Sequence, residues 1–158
     1  MIAFGAFKGE SLTPLSMWRL VVSQWLHVQF FHMLFNCLVI GVVGTALESR
    51  ALRRATVPLG ILGGAVGQFA DAMTQPEAFL SGASGASLIL VGAALLLLTV
   101  RSRGWCIALV GLGVALALDL RVSENGFVKA GHFVPLAIGL LIGALVRRFA
   151  RAPDGRFA

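Results

Sequence analysis

The stretch 27–54, HVQFFHMLFNCLVIGVVGTALESRALRR, decides how the rest of the chain is read. From Val28 to Leu47 it carries no Asp, Glu, Lys or Arg. At a rise of about 1.5 Å per residue, that run is long enough as a helix to cross roughly 30 Å of hydrocarbon. Polar groups gather at its two ends: His27, His32 and Asn36 at one, Arg50, Arg53 and Arg54 at the other. Four further apolar segments follow, Thr56–Ala72, Ala83–Val100, Trp105–Leu120 and Gly131–Val146. Two are short, which a packed bundle tolerates. The chain is 58% hydrophobic and only 13% charged, against about 25% charged in soluble domains. These features predict an all-α, polytopic transmembrane helix bundle with five visible spans, forming a single domain over 1–158. Residues 1–26 would be an outer loop, 27–149 the five-helix bundle and 150–158 a cytoplasmic tail.

The formal charge of +6 does not point to nucleic acid, because the arginines form no stripe on a polar face. They cluster after the first segment, after the third (Arg101, Arg103) and after the fifth (Arg147, Arg148, Arg151, Arg156). The positive-inside rule makes these places cytoplasmic, and helix counting puts all three on one side. Asp71, Glu77, Asp119 and Glu124 are read as belonging to the opposite, outer loops. The amino terminus is then outside, yet Met1–Phe7 is too short to span and lacks the pattern of a signal sequence. The expectation is that a membrane span precedes Met1 in the native protein. A bacterial inner membrane, with the lipid bilayer as the first partner, is the expected location.

Cys37 and Cys106 lie in different apolar segments and are read as small buried residues that do not pair. No metal-ligand spacing such as Cys-x-x-Cys or His-Glu-x-x-His occurs.

Polar side chains inside spans are costly and therefore candidates for function. Here the first span has His27, His32 and Asn36 near its outer end, the third opens with Ser81 and Ser84, and the fifth opens with His132. All lie at similar depth. A serine hydroxyl becomes a nucleophile when a base takes its proton, and a neutral imidazole is the usual base. Ser84 with His132 is the expected catalytic dyad. With Asp119 and Glu124 assigned to the outer loop, no third member is expected. His32 and Asn36, four apart on one helix face, and the Ser84 backbone N–H at a helix start are candidate oxyanion donors. Structural alternatives stand beside each: an interhelical hydrogen-bond pair for His32 and Asn36, a helix cap for Ser84, an interfacial polar residue for His132. Gly63-x-x-x-Gly67, Gly82, Gly85, Gly92, Gly139 and Gly143 mark close helix contacts.

Trp18-Arg19, His27, His32, Asn36, Gly44 and Glu48 reproduce a pattern, WR-x7-H-x4-H-x3-N-x7-G-x3-E, that resembles the first loop and second helix of the rhomboid intramembrane serine proteases. Gly82-Ala83-Ser84-Gly85 resembles their nucleophile motif, and His132 with Gly139 resembles the helix that carries their histidine. The resemblance implies a six-helix core, of which the five spans here are the second to sixth. It implies cleavage of transmembrane protein substrates near the outer face by Ser84 and His132, without metal or cofactor. It assigns His32 and Asn36 to the oxyanion hole and gives Trp18, Arg19, His27, Gly82, Gly85 and Gly139 structural roles near the site, with His27 tying down the first loop. Gly5-Ala6-Phe7-Lys8-Gly9 would be where the first helix ends. Leu88 stands where the family places an aromatic ring against the imidazole. Ile89 and Pro135 replace common glycines and are expected to separate the two catalytic helices. Pro135 is expected in the first helical turn, where its missing N–H costs little.

Two functional readings follow. One is a serine endopeptidase acting on transmembrane or membrane-anchored proteins; the other is a rhomboid-like pseudoprotease that binds membrane segments without cutting them. Together, Ser84, His132, His32 and Asn36 favour the enzyme. The sequence leaves the oligomeric state open.

Overall fold

The computed structural model of the chain describes residues 6–27, 29–50, 52–122 and 128–150. Five long helices carry the fold: α2 (Phe30–Arg50), α3 (Thr56–Thr74), α4 (Ser84–Leu97), α5 (Arg103–Val122) and α6 (Ala130–Ala150). Ahead of them come a two-residue strand β1 (Phe7–Lys8), short 3-10 turns and a one-turn helix α1 (Arg19–Val22). A second short strand, β2 (Phe79–Leu80), pairs antiparallel with β1, Phe7 opposite Leu80 and Lys8 opposite Phe79. The five helices match the five apolar segments to within a few residues at each end. Val28, Glu124 and residues 151–158 of the expected tail lie outside the described residues.

Three helices, α2, α5 and α6, are long and apolar enough to cross a membrane, and the chain is an integral membrane protein. Helix α4 differs. It has 14 residues, about 21 Å of helix, yet it is the most buried element and packs against α2, α3, α5 and α6. Its Ile89, Leu90, Val91, Ala93 and Ala94 join Val39, Val43 and Leu47 of α2 in the main core. A helix this short at the centre of longer ones leaves about 9 Å of hydrocarbon depth to be filled by the non-helical chain around it. Such backbone is tolerated at membrane depth only where protein groups satisfy its N–H and C=O groups.

The tightest crossing is α4 on α6. A Cβ at Gly139 would run into the Ile89 carbonyl group, with the Ile89 Cα at 3.1 Å. One at Gly92 would meet the Leu136 and Leu140 backbones. These are backbone-to-backbone approaches that only glycine permits. Ile89, expected to wedge the two helices apart, instead turns its side chain away from α6 into the space left by Gly63 of α3. Pro135 sits inside α6, past its first turn and not within it as expected. It removes the N–H that the Gly131 carbonyl would otherwise accept, and that carbonyl faces Gly67 and Gly85 at the crossing of α3 and α4.

Two other expectations are corrected. Cys37 and Cys106 are free and exposed on the bundle surface, not buried. Asp71 and Asp119 are not loop residues: they lie in the last turns of α3 and α5 and bond to the start of α6, as the site shows.

Candidate active site

Ser84 is the first residue of α4, with Ala83 as N-cap and no side chain capping the helix. The Ser84 hydroxyl has no hydrogen-bond partner among the described residues, so it is not acting as a cap. The loop that presents it is held at every turn. Gly82 adopts φ +104°, a left-handed conformation that glycine takes at little cost. Its N–H donates to the Ser23 carbonyl (3.0 Å), and its carbonyl accepts from Gln68 Nε2 (3.0 Å). The Ala83 N–H donates to His27 Nε2 (3.3 Å). The β1–β2 pair pins the chain just upstream. Three polar backbone groups just ahead of the short helix, the Gly82 N–H and C=O and the Ala83 N–H, thus find partners.

A second line of bonds joins this loop to α2. Ser87 Oγ donates to Asn36 Oδ1 (3.1 Å), and Asn36 Nδ2 donates to the same His27 Nε2 (3.3 Å). His27 accepts twice through one nitrogen, so its neutral ring carries the proton on Nδ1. Burial holds its pKa below the ordinary histidine value, the Trp25 backbone opposing this more weakly. His27 therefore ties the Ser84 loop to α2. His32 stacks edge-on against His27, ring centroids 5.5 Å apart, and makes no hydrogen bond of its own among the described residues. Asn36 does serve as an interhelical link, but an amide nitrogen has two hydrogens and only one is committed.

On the other side, His132 lies in the first turn of α6. Its Nδ1 is 2.7 Å from Asp119 Oδ2 on α5. The Lys129 N–H donates to that same oxygen (3.2 Å). Asp71 of α3 accepts from the Gly131 N–H (2.6 Å), satisfying one of the orphan donors at the start of α6 with a carboxylate, the charge a helix amino terminus favours. The expectation that no carboxylate lies near His132 is thus corrected. Asp119 and His132 are 13 residues apart in sequence but face each other across an antiparallel helix pair.

Ser84, His132 and His32 line two cavities in common. One, about 130 Å³, is polar and reaches Gln68, Asp71, Gln75 and Ser81. The other, about 30 Å³, is an apolar slit between α2, α4 and α5 with Phe35, Val39, Leu88, Val114 and Leu118 in its walls, and Asn36 also opens on it. Ser84 and His132 are not hydrogen-bonded to each other. Leu88, at the position of the expected aromatic, shares the slit with the imidazole. Gly85 lies against Gly64 and the Gly63 and Gly131 carbonyls, which lets α3, α4 and α6 converge beneath the serine. Trp18 and Arg19 line neither cavity; the Arg19 guanidinium stacks 5.5 Å from the Trp18 ring in the first loop. Among the described residues no group of His, Cys, Asp and Glu is arranged to hold a metal ion.

Sequence reasoning missed Gln68, Ser87, Ser23 and Asp119. The signal for Asp119 was present: it falls inside the apolar segment Trp105–Leu120, where a carboxylate is a functional candidate in its own right.

A short serine-bearing helix at the centre of a membrane bundle, with a histidine on the neighbouring helix, defines a class that the comparisons name. The Rhomboid domain family matches residues 14–149, and the chain belongs to that family. It is 28% identical over 165 aligned residues to the rhomboid protease GluP of Bacillus subtilis (strain 168), covering 96% of this chain and 32% of that protein. It is 29% identical to RHOMBOID-like protein 5 of Arabidopsis thaliana, covering 88% of this chain and 47% of the relative. RHOMBOID-like protein 7 of the same plant is also 29% identical, with 87% and 45% covered. The chain spans between a third and a half of the length of these relatives.

Proposed function

We propose that this protein is an intramembrane serine endopeptidase that cleaves transmembrane or membrane-anchored proteins near the outer membrane face. The observation that carries the reading is the position of Ser84, its hydroxyl unbonded, on the same two cavities as the His132 imidazole, one polar and one apolar. The polar cavity has room for water and groups to hold it. The apolar slit puts hydrocarbon side chains beside the same serine. Hydrolysis of a membrane segment calls for water and apolar contact side by side.

In this reading the substrate carbonyl carbon is attacked by Ser84 Oγ while His132 takes the hydroxyl proton. The oxyanion is met by His32, by the uncommitted Asn36 amide hydrogen and by the Ser84 backbone N–H, a free donor at a helix start. Collapse expels the amine with the proton from His132. Water then attacks the acyl-enzyme, His132 taking its proton and returning it to Ser84 as the acid product leaves. The arginine clusters, under the positive-inside rule, support a site that opens toward the outside of a bacterial inner membrane. GluP, named a rhomboid protease, supports the same activity.

Labelling with a fluorophosphonate probe tests it. Ser84 is the expected site of modification, and Ser84→Ala is expected to abolish both labelling and cleavage of a transmembrane substrate. Cleavage that survives Ser84→Ala refutes the mechanism. An intact protein that neither labels nor cuts leaves the binding-only pseudoprotease as the function.

A further inference from the structure

We propose that Asp119 is a positioning residue for His132, holding the ring of the Ser84–His132 pair from behind. The inference rests on the protease reading above and concerns what fixes its base. Asp119 is 2% exposed, and a carboxylate buried in a membrane bundle is retained only with partners that offset its desolvation. Two donors supply them, and both converge on one oxygen: the His132 ring at Nδ1 (2.7 Å) and the Lys129 N–H (3.2 Å).

The choice of nitrogen matters chemically. A neutral imidazole has one N–H and one lone pair. With Nδ1–H donated to Asp119, the lone pair is on Nε2, across the ring, and that is the nitrogen left free to accept a proton from a group in the shared cavities. The carboxylate therefore selects the tautomer able to accept the serine proton and stabilises the imidazolium formed when it does. Asp119 itself gains no proton; the proton leaving Ser84 resides on Nε2 until it is passed to the departing amine.

A structural role alone does not explain the placement. Helices α5 and α6 pack mainly on α4 and little on each other, so the pair is a side-chain bridge between two helices that lack a shared apolar seam. The start of α6 is already secured by another carboxylate, Asp71 on the Gly131 N–H. Asp71 fixes the backbone beside the histidine, whereas Asp119 fixes the ring.

That division of labour supplies the control. The chain has three histidines, so ¹⁵N-histidine labelling of the purified protein in lipid nanodiscs resolves His132 by comparison with His132→Gln. The expected result is a His132 signal in the Nδ1–H tautomer in the native protein. Asp119→Asn, close to isosteric, is expected to lose that tautomer and to lower kcat on the order of 10²-fold or more with KM unchanged, the loss in soluble triad enzymes being about 10⁴-fold. Asp71→Asn is expected to weaken thermal stability while leaving the His132 tautomer as it was. Unchanged His132 signals in Asp119→Asn overturn the proposal, whether or not activity falls, because a loss without tautomer change is a folding effect. A kcat within twofold of native overturns it equally. If the native protein is inert toward probe and substrate, the protease reading fails by itself, and the tautomer comparison still decides whether Asp119 orients the ring.

Discussion

Replacing Gly139 by alanine adds one methyl group where the backbone of a neighbouring helix comes nearest. The new Cβ would stand 2.9 Å from the Ile89 carbonyl carbon and 3.1 Å from its Cα, with the carbonyl oxygen nearer still. Carbon atoms in favourable contact lie about 3.5–4.0 Å apart. Since all three atoms are backbone, no rotamer change relieves the overlap, and α4 and α6 must separate by on the order of 1 Å. Overpacking of this kind costs about 1–3 kcal/mol, a fall in Tm of several degrees at about 2–4 °C per kcal/mol. These helices carry Ser84 and His132, and a 1 Å misplacement of reacting groups can cost about 10²-fold in rate. Gly113, also in a helix and with nothing within 4 Å of an added Cβ, is the matched control. Gly113→Ala is expected to be neutral or to stabilise by about 0.5–1 kcal/mol, as alanine does in a helix interior. Thermal unfolding in detergent and the rate of fluorophosphonate labelling measure the two effects. If Gly139→Ala unfolds and labels like Gly113→Ala, the close crossing of α4 and α6 does not hold the site together.

Three further outcomes are expected. Gln68→Leu leaves the buried Gly82 carbonyl without its donor and should cost about 1–3 kcal/mol, while Gln68→Glu, which has no amide hydrogen to give, should not rescue it; unfolding curves decide. His27 is held below its ordinary pKa by burial, so the unfolded chain takes up that proton first as pH falls. Its contribution to stability is therefore complete above about pH 6.5 and is lost below it, through the folded-state value. A His27→Gln variant should show a flatter stability profile across that range. In a protein lacking Cys37 and Cys106, a cysteine at Glu77 should react with an impermeant reagent in intact cells and one at Arg101 should not; the reverse pattern places the site on the cytoplasmic side.

The spans were legible because hydrocarbon imposes a length and a composition that 27–54 states openly, and the arginine clusters mark their ends. Ser84, His132, His32 and Asn36 were legible as polar groups in apolar runs. What was hidden depends on the register between helices. Asp119 lies one residue before the apolar segment ends, at Leu120, and only the antiparallel return of α6 brings it opposite His132. Ile89 was misjudged for a related reason: a bulky side chain at a helix crossing is harmful or harmless according to which neighbour it faces, and its facing Gly63 on α3 is a rotational detail that spacing alone does not supply. Gln68, Ser87 and Ser23 escaped notice because their bonds satisfy a loop whose depth follows from the shortness of α4.

The order in which these anchors occur along the chain bears on how the protein is made. The groups that hold the Ser84 loop from outside α4, Phe7 and Lys8, Ser23, His27, Asn36 and Gln68, all precede Ser84. The cluster of Asp119, Lys129 and His132 follows it. During synthesis from the amino end, the serine side of the site has its full scaffold available before the histidine side exists. The nascent protein thus has a shaped serine loop first, and the docking of its last long helix, α6, is the step that brings His132 to the cavities that Ser84 lines.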